Sequence, residues 1–143
     1  GLGVPQWNPN IKASFYGITA ENDKNDLVTA AFKPIVYQLK DIVMIIKEDG
    51  YDISSLSIDG GMSNNRKFCQ MISDILGLEI LVPENVESTA TGAAIVSSIR
   101  DVKEDLKDLS LPNYTKYLPK GNSCEADFKE WQKFVQTLDQ QYK

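Results

Sequence analysis

Between Leu56 and Ile99 the chain alternates twice between a short apolar run and a segment of helical periodicity. Leu56 to Asp59 is the first run, and Gly60-Gly61 breaks it. Ser63 or Asn64 is placed to cap a helix with an inner face of Phe68, Ile72, Ile75 and Leu76, stopped by Gly77. Glu79 to Val82 is the second run, closed by Pro83. Ser88 or Thr89 then opens a helix with small residues early (Ala90, Gly92, Ala93, Ala94) and larger ones late (Ile95, Val96, Ile99). Strand-helix-strand-helix order buries its apolar faces by layering helices on a sheet, so the expected class is α/β. No internal repeat or low-complexity tract interrupts it.

The flanks are less regular. Gly1 to Asn10 carries two prolines and two glycines, which is loop chemistry. Lys12 to Thr19, with Phe15, Tyr16 and Ile18, predicts a strand. A long helix capped near Asn25 follows, with Leu27, Ala31, Ile35, Leu39, Ile42 and Ile46 as its apolar stripe and Gly50 as its end. Pro34 lies inside it and predicts a kink. Beyond Arg100 the chain becomes charged, with a short helix expected to Leu109 and a loop from Pro112 to Gly121. A last helix from about Glu125 places Phe128, Trp131, Val135 and Leu138 on one face. Both tryptophans are expected in the core.

Composition excludes several functions. There is no histidine, which removes Ser-His-Asp hydrolysis, Cys-His catalysis and the commonest zinc sites. A formal net charge of −5 argues against nucleic-acid binding. No apolar run approaches the roughly 18 residues of a membrane span, and no signal peptide is visible. Cys69 and Cys124 show no metal spacing and are expected as reduced cytoplasmic thiols. At 143 residues one domain over 1–143 is expected, and a start at Gly1-Leu2-Gly3 without Met suggests a segment of a longer chain.

Chemistry concentrates at Leu56-Ser-Ile-Asp-Gly-Gly-Met-Ser-Asn-Asn65. Glycines there let backbone approach a ligand, and the next helix offers free N–H groups and the positive end of its dipole to an anion. Asn65 in the first turn could present a donor and an acceptor to a base edge. The pattern is neither Gly-x-Gly-x-x-Gly nor a Walker loop. An ordinary turn after a strand uses the same glycines, so both readings stay open on this feature alone. The small-residue helix after Glu87 suggests tight packing against the glycine loop, with Glu87 as its cap or anchor. Asp52, Asp59 and Asp74 form no evident acid-base dyad, and no catalytic or metal-ligating residue is assigned.

Taken together these pieces resemble the FGGY family of carbohydrate kinases, and within it the glycerol kinases. The resemblance rests on Gly1-Leu-Gly-Val-Pro-Gln-Trp7 with Pro9, and on Ser14-Phe-Tyr-Gly-Ile18, seven residues, then Asp26-Leu-Val-Thr-Ala-Ala-Phe32. It continues through Tyr37-Gln38, Asp41, Asp59-Gly-Gly61, Asn65, Gln70, Asp74-Ile-Leu-Gly77, Pro83, Glu87, Thr89-Ala-x-Gly-Ala-Ala94 and the Trp131 helix. Lys33, Pro34, Asn10, Ala13 and Met62-Ser63 depart from the family pattern, Lys33 by replacing an acidic residue.

The resemblance implies an actin-like ATPase (ribonuclease H-like) fold, of which this is the incomplete C-terminal half of a two-domain kinase. It implies Mg-ATP as phosphoryl donor and glycerol as acceptor, the latter held by the absent domain. Gly60 would shape the loop, Gly61 would meet the nucleotide through its backbone, and Asn65 would do so through its side chain. Alone, the segment is expected to be inactive. A pentulose or pentitol kinase of the same family, a dinucleotide-binding domain, and a non-catalytic module assembling as a homo-oligomer through the last helix are the rival readings.

Overall fold

The central strand grows from the apolar run Glu79–Pro83 (β2), where Ile80 is wholly buried and Val82 nearly so. The structure, a computed structural model, describes residues 1–99, 112–121 and 124–143. β1 (Ser55–Ser57) runs parallel to β2, with Leu56 opposite Ile80. β3 (Tyr114–Tyr117) runs antiparallel on the other side, with Ile80 opposite Tyr117 and Pro83 opposite Tyr114, giving the order β1-β2-β3. β3 falls inside the segment expected to be loop. Pro112 and Pro119 flank it, and prolines at the ends of a short edge strand are compatible with pairing. Tyr, Thr and Tyr there are strand formers.

Four helices complete the described residues: α1 (Lys24–Glu48), α2 (Arg66–Leu76), α3 (Ser88–Ser98) and α4 (Glu125–Gln141). The expected short helix before Leu109 lies outside the described residues. The cap of α1, Asp23, lies two residues before the expected one. Asp23 accepts from the Asn25 and Asp26 N–H groups while the Asp26 carboxylate accepts from the Asp23 N–H, a reciprocal capping box. Those N–H groups, Asp26's foremost, hold the Asp23 carboxyl below its ordinary pKa. α1 continues unbroken through Pro34.

The buried face of α1 overlaps the expected stripe only at Leu39 and Ile42, which are half-buried. Val36, Tyr37 and Val43 are buried, with Phe32 and Leu39 packed beside the core, while Leu27, Ile35 and Ile46 are exposed. The helix carries apolar residues around most of its girth, so periodicity alone fits more than one face. Docking of α2 and α4 selects the face. Phe128 of α4, 2% exposed, packs with Tyr37, Trp131 and the Lys40 ammonium, which lies 4.7 Å from its ring centroid. On α2, Phe68, Cys69, Ile72 and Ile75 point inward, and Gly77 adopts the left-handed conformation that ends the helix.

Two aromatic expectations fail. Lys12 to Thr19 forms no strand, and Phe15, Tyr16 and Ile18 are exposed. A strand needs a partner edge, whereas Tyr16 stacks on Phe134 of α4 at 4.9 Å and draws this segment along the helix. Trp7 is 73% exposed, so only Trp131 joins the core, where it is half-buried. Burial of Cys69 pushes its thiol pKa up, in line with an inert side chain.

Polar links join α1 to α4. Lys33, the departure from the family signature, pairs with Asp127 at 2.7 Å, and Lys40 pairs with Glu125. Gln132 donates to Asp41 at 2.7 Å. Burial nevertheless raises the Asp41 pKa, with the Gln132 bond opposing it. A carboxyl whose folded pKa is raised favours folding below its unfolded pKa, and that contribution is lost as pH rises through the folded value. Asp41→Asn keeps an acceptor for Gln132 without a desolvated charge. We therefore expect it to raise stability at pH 7 by a few tenths of a kcal/mol, roughly, given solvent screening. In urea melts the gain should shrink as pH falls through the raised pKa. A gain independent of pH would assign the effect elsewhere.

Candidate functional site

The glycine pair leaves the sheet at the C-terminal end of β1, beside the C-terminal end of β2. The crevice outside the strand ends is where open α/β sheets bind ligands. The Ile58 N–H still reaches Leu81 O at 2.9 Å, extending the ladder to the loop. Gly60 then takes φ 88° and ψ 173°, a conformation essentially confined to glycine. Its N–H donates to Val86 O at 3.0 Å, so the loop is tied to the segment leading into α3. Gly61 to Asn64 form one 3₁₀ turn, and α2 follows.

Gly61 differs from Gly60. It is absent from the positive-φ residues, and a Cβ added there would meet no atom within 4 Å. Neither backbone strain nor packing among the described residues calls for glycine at that position. It lies exposed on the outer side of the loop.

Asn65 caps α2, a role the sequence assigned to Ser63 or Asn64. Its Oδ1 accepts from the Lys67 N–H at 3.1 Å and the Phe68 N–H at 3.2 Å. The acceptor expected to read a base edge is thus engaged by the helix, leaving the exposed Nδ2 donors as the group it offers. Arg66 and Lys67 follow in the exposed first turn, adding two cations to the positive end of the helix. Ser63 is buried at 5% exposure, and its hydroxyl donates to Gly60 O at 2.6 Å. From the sequence, Ser63 was a candidate helix cap and part of a departure from the family pattern. A small polar residue two positions after the glycine pair was the available signal.

The neighbouring α3 departs from expectation. It has no buried residue, and a Cβ on Gly92 would meet nothing within 4 Å. Its early small residues offer little apolar area to drive docking, so close packing against the glycine loop is not found. Glu87 occupies the cap position without a side-chain cap bond. Asn85 accepts from the Glu87 N–H at 3.0 Å and binds Thr91 Oγ1 at 3.0 Å, so it anchors the turn instead. Asp74 is structural: it accepts from Gln70 and from the Lys120 N–H.

The site is an open wall. A cavity of about 740 Å³ lies elsewhere, between the 11–17 segment, α1 and α4, and Gly60, Gly61 and Asn65 do not line it. Among the described residues no three His, Cys, Asp or Glu side chains stand together to hold a metal. The open Gly61, the Asn65 donors and the α2 terminus suit an anionic, acceptor-rich ligand.

Residues 1–100 match the FGGY family of carbohydrate kinases, C-terminal domain, and the chain belongs to that family. Its α/β fold is that of the actin-like ATPase half of these kinases. Among similar proteins, glycerol kinases of Pediococcus pentosaceus and Streptococcus uberis are each 38% identical over 94% of this chain. The chain spans 28% of the length of either. A crystal structure of Plasmodium falciparum glycerol kinase with ADP matches with a TM-score of 0.71 and 29% identity, over 96% of this chain and 29% of that one. A ligand-bound xylulose kinase from Lactobacillus acidophilus shares the fold at a TM-score of 0.65 and 19% identity, over 97% and 27% respectively. Among the described residues no helix is long and apolar enough to cross a membrane.

Proposed function

We propose that this chain is the C-terminal, nucleotide-binding segment of a glycerol kinase, which transfers the γ-phosphoryl group of Mg-ATP to a terminal hydroxyl of glycerol. The observation that carries the reading is Gly61, a glycine that neither its backbone nor packing among the described residues requires, at the crevice of a parallel strand pair. A ligand approaching the backbone supplies the missing reason. Gly60 shapes the loop, Gly61 faces the nucleotide through its backbone, and Asn65 donates to an acceptor on it. The α2 terminus with Arg66 and Lys67 attracts its negative charge. Similarity to glycerol kinases across nearly the whole chain supports glycerol over other acceptors. The reading carries a cytoplasmic location with free thiols.

The groups that hold and deprotonate an acceptor hydroxyl belong, on this reading, to the rest of the kinase. Phosphoryl transfer depends on positioning and charge stabilisation from both sides of a cleft, and one wall supplies neither alone. The chain by itself is expected to show no glycerol-dependent ATP consumption, while Mg-ADP shifts the amide resonances of Asp59 to Asn65 weakly and saturably. NAD serves as the control. Turnover above a mock-purified sample would refute the one-wall reading, and a stronger response to NAD would overturn the kinase assignment. Silence toward ADP would mean that Gly61 and Asn65 make no independent site.

A further inference from the structure

We propose that Ser63 is the positioning residue that aims the Gly61 N–H at the nucleotide, an inference that rests on the functional reading above and extends it to a residue outside the loop's glycines. The peptide between Gly60 and Gly61 is planar and trans, so its carbonyl and its N–H point in opposite directions. The carbonyl end is fixed. Gly60 O accepts from the Ser63 N–H at 3.0 Å and from the Ser63 hydroxyl at 2.6 Å, and Ser63 itself is buried. Both bonds pull the carbonyl inward beneath the 3₁₀ turn. The Gly61 N–H therefore points away from Ser63, and Gly61 itself is exposed. As the first residue of the turn it has no partner within it.

Such fixing matters because the peptide joins two glycines, the residues that resist rotation least. The surroundings hold the frame on which Ser63 acts. The Gly60 N–H is held by Val86 O at 3.0 Å, and the Ser63 carbonyl accepts from the buried Cys69 thiol at 3.1 Å. One peptide of the loop is thus clamped on each side, and the hydroxyl of Ser63 is the side-chain element that sets the plane between them. Without it, only the turn's own N–H bond restrains the Gly60 carbonyl. The Gly61 N–H would then spend part of its time misaimed, and a bond to a nucleotide oxygen would weaken.

The test uses the 143-residue chain in three forms: unaltered, Ser63→Ala and Ser63→Thr. Without nucleotide, the Gly61 amide proton shift and its hydrogen-exchange rate read the orientation directly. Ser63→Ala should move both, and Ser63→Thr, which keeps a hydroxyl, should restore them. With Mg-ADP, Ser63→Ala should weaken binding about fivefold, which is about 1 kcal/mol, and Ser63→Thr should return it to within about twofold. Far-UV circular dichroism identifies a variant that fails to fold, and in that case the threonine form carries the comparison with the unaltered chain. A folded Ser63→Ala form with an unchanged Gly61 amide overturns the positioning role, whatever ADP does. A displaced amide in a chain that binds no ADP in any form supports the positioning role and removes the nucleotide reading instead. Displacement with unaltered ADP affinity overturns the claim that this N–H meets the ligand.

Discussion

Replacing Phe128 by alanine is expected to cost about 3–5 kcal/mol, enough to unfold much of the chain at 37 °C. The ring is 2% exposed and lies 5.5 Å from Tyr37 and 6.1 Å from Trp131, ring centroid to centroid, so its removal leaves a cavity bounded by aromatic faces. Rigid aromatics on two helices collapse poorly into such a space, which places the loss toward the upper part of that range. The Lys40 ammonium over the ring face loses its partner as well. Urea denaturation followed by Trp131 fluorescence measures the effect. A loss below about 1.5 kcal/mol would mean that α4 is peripheral to the fold rather than part of its core.

Phe128 was visible in the sequence because its helix is amphipathic with one apolar stripe. The same holds for α2, where Phe68, Ile72 and Ile75 sit on one face and Gly77 ends the helix as expected. α1 was misread for the opposite reason. Apolar residues surround it, and which of them are buried is decided by α2 and α4, information that no local window contains. β3 was missed because its pairing with β2 is made across a long stretch of sequence, while its flanking prolines are a local signal for a loop. At the site, the strand-glycine-glycine-helix order was legible, and so was the placement of Asn65 at the start of α2. Its capping role was not, because capping by Oδ1 depends on where α2 begins, one or two residues after the expected start. Ser63 was hidden by its ordinariness, since burial and a bond to Gly60 O follow from the turn's geometry.

The second large effect is expected at Gly61. Gly61→Leu should leave the fold intact, because the space beyond its Cα is open and its φ is not one reserved for glycine. A melting temperature within about 2 °C of the unaltered chain is expected, the size of change typical of a neutral surface substitution. Nucleotide binding should fall at least about tenfold, or about 1.4 kcal/mol, because the new side chain occupies the face that a ligand would approach. On the proposed function, the same substitution in the complete kinase should raise the KM for ATP more than that for glycerol. The contrast with Gly60→Leu is informative: there the backbone angles alone cost about 1–3 kcal/mol, so stability falls first. A Gly61→Leu chain that binds Mg-ADP as well as its parent would remove the main support for the nucleotide reading.

The sheet also favours an order of assembly. The β1–β2 ladder, Ser55 with Glu79, joins residues 24 apart, whereas the β2–β3 ladder joins residues 31 apart at Pro83 with Tyr114 and 37 apart at Ile80 with Tyr117. Loop closure becomes less favourable with length and precedes any gain from the contacts it makes. The β1-α2-β2 unit, which includes the glycine loop and the Asn65 cap, is therefore placed to form first, with β3 and α4 joining a partly built surface. On that order, substitutions in the Asn65 cap would slow folding, whereas loss of the Asp74 bond to the Lys120 N–H, which secures the chain just after β3, would chiefly hasten unfolding.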